Sequence, residues 1–436
     1  MKSRMRYRWL GLLVATTTLV GGVAPVASSL SLEDAIQAAL TTDETVSQAR
    51  QQVRQAEAQL GQARAEFFHS LDATTSYSRI KNAPTFEIPG VGEGDDENMA
   101  LELSLTQPLY TSGLLSGGRK MAELGVDIAE AELARQMQTT TFEVTKAYYS
   151  VLLAQASLEV TEESLELARR HRDQVQARYD SGSASRFDLM RAEVELANWK
   201  PTLLSGKNDY RLAREGLATL INQPVSDVYP EGKLAYQPLT MSLQEALSGA
   251  YRQRLDLVAA HLGRRISELQ VKMSQAEAGP HLVFQAGYSW AKAPSDPEWS
   301  DDWNFALILS YPLAEIWKSR DDIKVSKAVL EQSRLGQSQL REAVELEVKQ
   351  ALWSLDTAAE AIAAAEKNVD QAREVMELAE IRYHNGSITN LEYLDAQLAL
   401  SRAKTAYVKA LYDHNLSRVE LEYALGEYYQ EKGVNE

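Results

Sequence analysis

The chain has 436 residues, enough for several cores or one very elongated one. Apolar residues at 44% and charged ones at 24% exclude a disordered or collagen-like chain, and the absence of cysteine excludes disulfides, thiolate zinc sites, thiol catalysis and lipidation at an N-terminal cysteine. A net charge of −16 argues against nucleic acid as a partner, because phosphate binding needs a positive surface.

The chain opens with Lys2, Arg4, Arg6 and Arg8, then an apolar run from Trp9 to Val23, then small residues from Ala24 to Ser29. This pattern predicts a secretory signal peptide over 1–29. An uncleaved anchor is the alternative, but the run is short for a span of about 20 residues, and Thr16, Thr17 and Thr18 dilute it. No later segment is apolar enough for a transmembrane helix, so any membrane entry must use strands.

Ser31 to Asp34 has the spacing of a capping box and predicts a helix running to about His69. A strand is expected over Leu71 to Ile80. The loop that follows is marked by Pro84, Pro89, Gly90, Gly92, Gly94 and the acidic Asp95-Asp96-Glu97. In the next strand Met99, Leu101, Leu103 and Leu105 alternate with Glu102, Ser104 and Thr106. Each run is about ten residues, the length of a tilted strand crossing a bilayer.

No proline occurs between Pro108 and Pro201, which permits a single helix from Leu114 to Asp180, about 100 Å long. Val144, Val151, Leu158 and Leu165 recur every seven residues, with Ala147, Ala154, Thr161 and Ala168 three positions later. That is a coiled-coil seam, in which alanine lets helix axes approach closely. Gly182 sits where a helix C-terminus favours a left-handed residue, and Ser185 to Asp188 opens a new helix with a second capping box.

The same layout then recurs. Arg178-Tyr179-Asp180-Ser181-Gly182-Ser183 matches Arg382-Tyr383-His384-Asn385-Gly386-Ser387, 204 positions on. Pro108 matches Pro312 and Ser150 matches Ser354 at that offset, whereas Ser31 matches Ser242 and Tyr77 matches Tyr288 at 211, so the slip falls in the loop before residue 107. The period is too long for a solenoid. The chain divides into a first repeat over 30–223, an irregular linker over 224–241 and a second repeat over 242–436. In the second, Ser242 to Glu245 opens a helix to about Glu277, and His281 to Trp290 pairs with a strand bearing Phe305, Leu307, Leu309 and Tyr311. Val348, Leu355, Ile362 and Val369 form the seam, with Ala351, Ala358, Ala365 and Ala372 beside it. Thr389 to Glu392 caps the last helix.

Four strands cannot close a barrel, and an open edge in lipid leaves backbone groups unpaired, so several chains must share one. Two chains give eight strands and an interior filled with side chains; three give twelve and a lumen. The alternative for the strands alone is two soluble hairpins buried against helices.

The chain resembles the TolC-like outer membrane efflux proteins from Ser31 to about Tyr429. The duplication carries the resemblance, with Gln107-Pro108-Leu109-Tyr110 and Tyr311-Pro312-Leu313 at the strand-to-helix junctions and the two tips with their Gly182…Asp188-Leu189…Ala192 and Gly386…Leu394-Asp395-Ala396 patterns. It implies a mainly α fold with a small β part: a homotrimer whose long antiparallel coiled-coil helices form an α-barrel, with four strands per chain in a shared twelve-stranded outer-membrane β-barrel. It also implies an exit duct for small toxic compounds or polypeptides, embedded in outer-membrane lipid and docked to a periplasmic adaptor and an inner-membrane pump, with no cofactor. The family's acidic aperture rings fall on Glu392 and Asp395. Around a narrow symmetric axis three copies of each would favour cations. Glu392 is also placed as a capping acid, and Asp188 in the first tip reads chiefly as a cap. Some relatives carry an arginine just after the second-tip glycine; that place holds Ile388. The adaptor-contact tips map to Gly182, Ser183, Ala184 and Ser185, and to Gly386, Ser387, Ile388 and Thr389. Tyr110, Trp290, Trp303 and Tyr311 fit an interfacial aromatic girdle.

Two other classes compete. An exported enzyme would need a site, but the six histidines are scattered with no zinc spacing and read as mostly solvated helix residues. Gly113…Gly118-Arg119-Lys120 lacks the lysine placement of a phosphate loop. A periplasmic adaptor-like coiled-coil protein would normally carry a lipoyl-like or barrel module between its hairpin arms, which this chain lacks.

Overall fold

The computed structural model describes residues 30–79, 97–292, 298–313 and 316–427. The expected signal peptide over 1–29 and the expected loop after the first strand lie outside the described residues, as do residues 293–297, 314–315 and those from 428.

The expected first helix is two. Helix α1 (Leu32–Thr42) and α2 (Glu44–Ala65) are separated by Asp43, whose backbone is extended and whose side chain caps the Thr45 N–H at 2.7 Å. The second half breaks in the same way, between α5 (Leu243–Gln253) and α6 (Leu255–Ala276) at the extended Arg254. Neither break carries a proline or glycine, which is why a helical pattern runs through both in sequence. Strands β1 (Ser70–Arg79) and β2 (Glu97–Tyr110) lead into α3 (Leu114–Asp180), a single 67-residue helix, and α4 (Arg186–Leu220), which continues through Pro201. After the linker, β3 (His281–Lys292), β4 (Ser300–Ser310), α7 (Ile316–His384, 69 residues) and α8 (Asn390–Leu425) repeat that order.

The four strands form one antiparallel sheet in the order β1-β2-β3-β4. Its register places Leu71, Ala73, Leu101, Leu103, Leu105, Phe284, Tyr288, Trp290, Trp303, Phe305, Leu307 and Leu309 on one face, and Asp72, Thr74, Glu102, Ser104, Gln285, Ser289, Asp302 and Asn304 on the other. One face is mainly apolar, interrupted by Thr75, Gln107 and Asp301, and the other mainly polar, and among the described residues no helix covers the apolar one: Trp303 is 69% exposed. Among the described residues no helix is long and apolar enough to cross a membrane.

Below the sheet, α3 pairs with α4 and α7 with α8, and α3 also packs on α8, so the lower half is a single layer in the order α4-α3-α8-α7. In the upper half, α2 packs on α3 and α6 lies between α3 and α7. The seam positions Val144, Val151, Val348, Leu355 and Ile362 are buried, each fully buried valine contributing roughly 1.5–3 kcal/mol. Leu158 and Leu165 are only half-buried.

At mid-height α1 and α5 close the cores around Val144, Val151 and Leu217 and around Val348, Leu352 and Leu421. The linker wraps there. Leu30 bridges to Pro230, and Tyr148 Oη lies 2.9 and 2.8 Å from the carbonyl oxygens of Leu30 and Glu231.

Candidate functional site: the helical tip

Both tips follow from their glycines. Gly182 at φ 76° and Gly386 at φ 68° adopt the left-handed conformation that lets the chain reverse after a long helix. The Ser183 N–H then bonds the Arg178 carbonyl at 2.8 Å and the Ser387 N–H bonds the Arg382 carbonyl at 2.8 Å, ending both helices in matching turns. Ser185 and Asp188 form a complete capping box, as do Thr389 and Glu392 and, at mid-height, Ser242 and Glu245; Ser31 makes only the half in which its hydroxyl accepts from Asp34 N. The Thr389 N–H and hydroxyl reach Glu392 Oε2 at 2.7 and 2.8 Å and hold that carboxyl below its ordinary range.

Glu392 and Asp395 are both exposed on α8, three residues apart and therefore on one face, while Tyr393 and Ala396 beside them are buried. Asp188 is half-buried on α4 and engaged with Ser185. Ile388 packs against the tip core of Val175, Leu189, Met376, Tyr383 and Tyr393. In place of an arginine after the second glycine, Arg178 of the first tip crosses to the second. Its Nη2 donates to the His384 carbonyl at 2.7 Å and its guanidinium lies 4.6 Å above the Tyr383 ring.

The seam between α3 and α8 is polar along its length, a feature the sequence reading missed. Thr139 meets Tyr423 at 3.1 Å, Ser150 meets Tyr412 at 3.2 Å, and Ser164 meets Ser401 at 3.0 Å. Lys404 pairs with Glu163 at 2.6 Å, and His171 Nε2 lies 2.6 Å from Asn390 Oδ1. Asn390 Nδ2 also donates to the Asp188 carbonyl at 3.1 Å. The expectation that the histidines are mostly solvated therefore fails for His171 and His414, each 1% exposed. The signal was present as Ser150, Ser157, Ser164 and His171, polar residues at a heptad interval along one flank of α3.

Elsewhere, Lys120 of the phosphate-loop decoy pairs with Glu123 at 3.2 Å. Tyr110 and Tyr311 are exposed at the helix-side end of the sheet, joined by Phe67 and Phe68, which sequence reasoning overlooked; Trp290 and Trp303 lie toward the opposite end.

A family model described as "Outer membrane efflux protein" matches residues 35–223 and again 246–427. The chain belongs to this family. The outer membrane protein TolC of Vibrio cholerae is 24% identical over 308 residues, spanning 68% of this chain and 70% of the relative. The alkaline protease secretion protein AprF of Pseudomonas aeruginosa is 22% identical over 340 residues, spanning 76% and 70%. Among solved structures, the outer membrane protein VceC of Vibrio cholerae shares the fold at a TM-score of 0.78, 20% identity and 91% and 96% coverage. CusC shares it at 0.78, 19% identity and 91% and 92% coverage. Membership makes this efflux protein an outer-membrane exit channel, not an enzyme, and sets aside the adaptor-like alternative.

Proposed function

We propose that three copies form a continuous duct across the outer membrane and into the periplasm, receiving cargo from an inner-membrane pump through a periplasmic adaptor. The carrying observation is that the chain ends in unpartnered edges on the same two flanks at every level. Among the described residues, β1 and β4 are unpaired edges of the sheet. In the lower helical layer, the outer members α4 and α7 expose Phe187, Met190 and Val194 on one side and Val375, Leu378 and Ile381 on the other.

The internal repetition indicates what covers these edges. Within the chain, β2 pairs β3, α3 packs on α8 and α3 packs on α6. The equivalent junctions between copies are β4 to β1, α7 to α4 and α7 to α2. Three copies supply twelve strands, wide enough for a lumen, with the polar face carrying Asp72, Glu102 and Asp302 turned inward. The apolar face then meets lipid, and Tyr110 and Tyr311 at one rim with Trp290 and Trp303 at the other supply the interfacial aromatics.

At the far end Glu392 and Asp395 ring the aperture, and the turns at 182–185 and 386–389 meet the adaptor. Relatives named for cation efflux and for alkaline protease secretion span the cargo classes a wide polar duct serves. Mass measurement of the mild-detergent extract of outer membranes by light scattering, corrected for detergent, tests the assembly. A trimer is expected; a monomer would overturn it.

A further inference from the structure

The three-helix node at the tip holds a titratable group that neither capping nor core packing requires. His171 of α3 is enclosed, with its ring stacked on Tyr393 of α8 at 3.9 Å and tilted against Tyr383 of α7 at 5.0 Å. Its Nε2 faces Asn390 Oδ1, and the same Asn390 amide holds the Asp188 carbonyl at the start of α4. One asparagine, at the first residue of the helix that carries Glu392 and Asp395, thus ties that helix to both arms of the first hairpin. His171 Nδ1 is buried and has no hydrogen-bond partner among the described residues.

This geometry accepts only one protonation state. In the neutral ring Nε2–H donates to Asn390 and Nδ1 carries a lone pair. Protonation would place a second N–H at Nδ1, where no acceptor stands among the described residues, and a buried donor left unpaired disfavours that state. The surrounding charges do not relieve it. Arg178 and Arg170 of α3 are cations; Asp188 of α4 is engaged by Ser185; Glu380 of α7 lies near Tyr393; and Tyr383 and Tyr393 are phenols held protonated by burial, the latter pushed up to about 12.

We propose that His171, Asn390 and the Asp188 carbonyl form a proton-sensitive latch that positions the aperture helix against the first hairpin and releases it on acidification. The latch rests on the reading that Glu392 and Asp395 line the aperture. Burial, with Arg178 adding to it, pulls the His171 imidazole below its ordinary value of 6.5 against the opposing hydrogen bond to Asn390 Oδ1. A histidine depressed in the packed state stabilises that state fully above about 6.5, and the stabilisation is lost as pH falls from there through the packed-state value. The device belongs to the seam within each chain alone. The position equivalent to His171 in the second repeat is Val375, 53% exposed, so the α7–α4 junction between copies would be apolar where this one is polar. Acid therefore loosens the first hairpin from the second inside each copy and leaves the contacts between copies in place.

The test uses the full-length protein in detergent, with hydrogen–deuterium exchange corrected for intrinsic rate between pH 7.5 and 5, alongside conductance in planar bilayers. Protection over residues 176–196 and 380–400 should fall in the native protein by up to about tenfold per pH unit below 6.5. Protection around Leu217 and Leu421 should hold. His171→Gln keeps a donor for Asn390 without titrating and should remain protected across the range; His171→Phe keeps the stack without the donor and should be loosened at every pH. Native conductance should rise over the same interval. A flat native exchange profile, or a variant that keeps the native pH response, would overturn the latch. Absence of conductance with the exchange response intact would instead remove the duct reading and leave the latch standing.

Discussion

Asp43 and Arg254 occupy the same place in the two halves of the chain and carry opposite charges. Each is the extended residue joining two helices, at φ −62° and ψ 123° for Asp43 and φ −66° and ψ 119° for Arg254. Asp43 works with hydroxyls and amides, accepting from Thr140 Oγ1 at 2.6 Å and from Thr45. Arg254 works with carboxylates and a helix end, meeting Asp256 and Glu347 at 2.7 Å each and the Ala424 carbonyl at 3.1 Å. One backbone solution is thus held by two chemistries.

Arg254→Met should be the costlier change of the pair. It strips Asp256, a half-enclosed carboxylate, of its cation, and a loss of about 2 kcal/mol is expected in denaturant unfolding of the detergent-solubilised protein. Burial would raise the Asp256 pKa, but the hydrogen bond and charge of Arg254 outweigh it and hold it low. This clamp therefore operates above about pH 4 and weakens as pH falls below it; in Arg254→Met that acid-side loss should vanish.

On the strands the two faces should respond oppositely to charge. Phe305→Lys places an ammonium on the apolar face near the strand's middle and should cost about 2–4 kcal/mol if that depth is the bilayer centre. Asn304→Lys, one residue away on the polar face, should assemble normally. The thermal stability of the oligomer on electrophoresis reads both.

Removing the cap at the second tip should loosen it locally. Thr389→Ala deletes the hydroxyl that accepts from Glu392 N and donates to its carboxylate, and exchange over residues 389–393 should quicken about fivefold. Exchange at the Ser185 cap should not change.

Neutralising the aperture acids should alter selectivity more than stability. Glu392→Gln together with Asp395→Asn removes six charges from the proposed ring, and the reversal potential in a salt gradient should shift away from cation preference. Asp188→Asn, which touches a cap, should shift it far less.

Much of the fold was legible because its signals are local. Alternation at Met99, Leu101, Leu103 and Leu105 shows a strand between two different surroundings, and the proline-free interval from Leu114 to Asp180 becomes one helix with those ends. The breaks at Asp43 and Arg254 were not legible, since neither residue forbids a helix and the bend is set by packing of α1 and α5 against the long helices. The tip was half legible. Glycines and capping boxes revealed the turns, but the burial of His171 arises from Tyr383 of α7 and Tyr393 of α8, on two helices that no window of sequence brings together.

The sheet's two open edges have a consequence for biogenesis. A lone chain cannot rest in lipid with β1 and β4 unpaired, nor can it safely linger in water exposing Phe305, Leu307 and Leu309. For the proposed shared barrel, insertion and subunit association are thus one event rather than two. The yield of inserted duct should depend steeply on chain concentration, and under-supplied chains should be lost to proteolysis or aggregation instead of accumulating as membrane monomers.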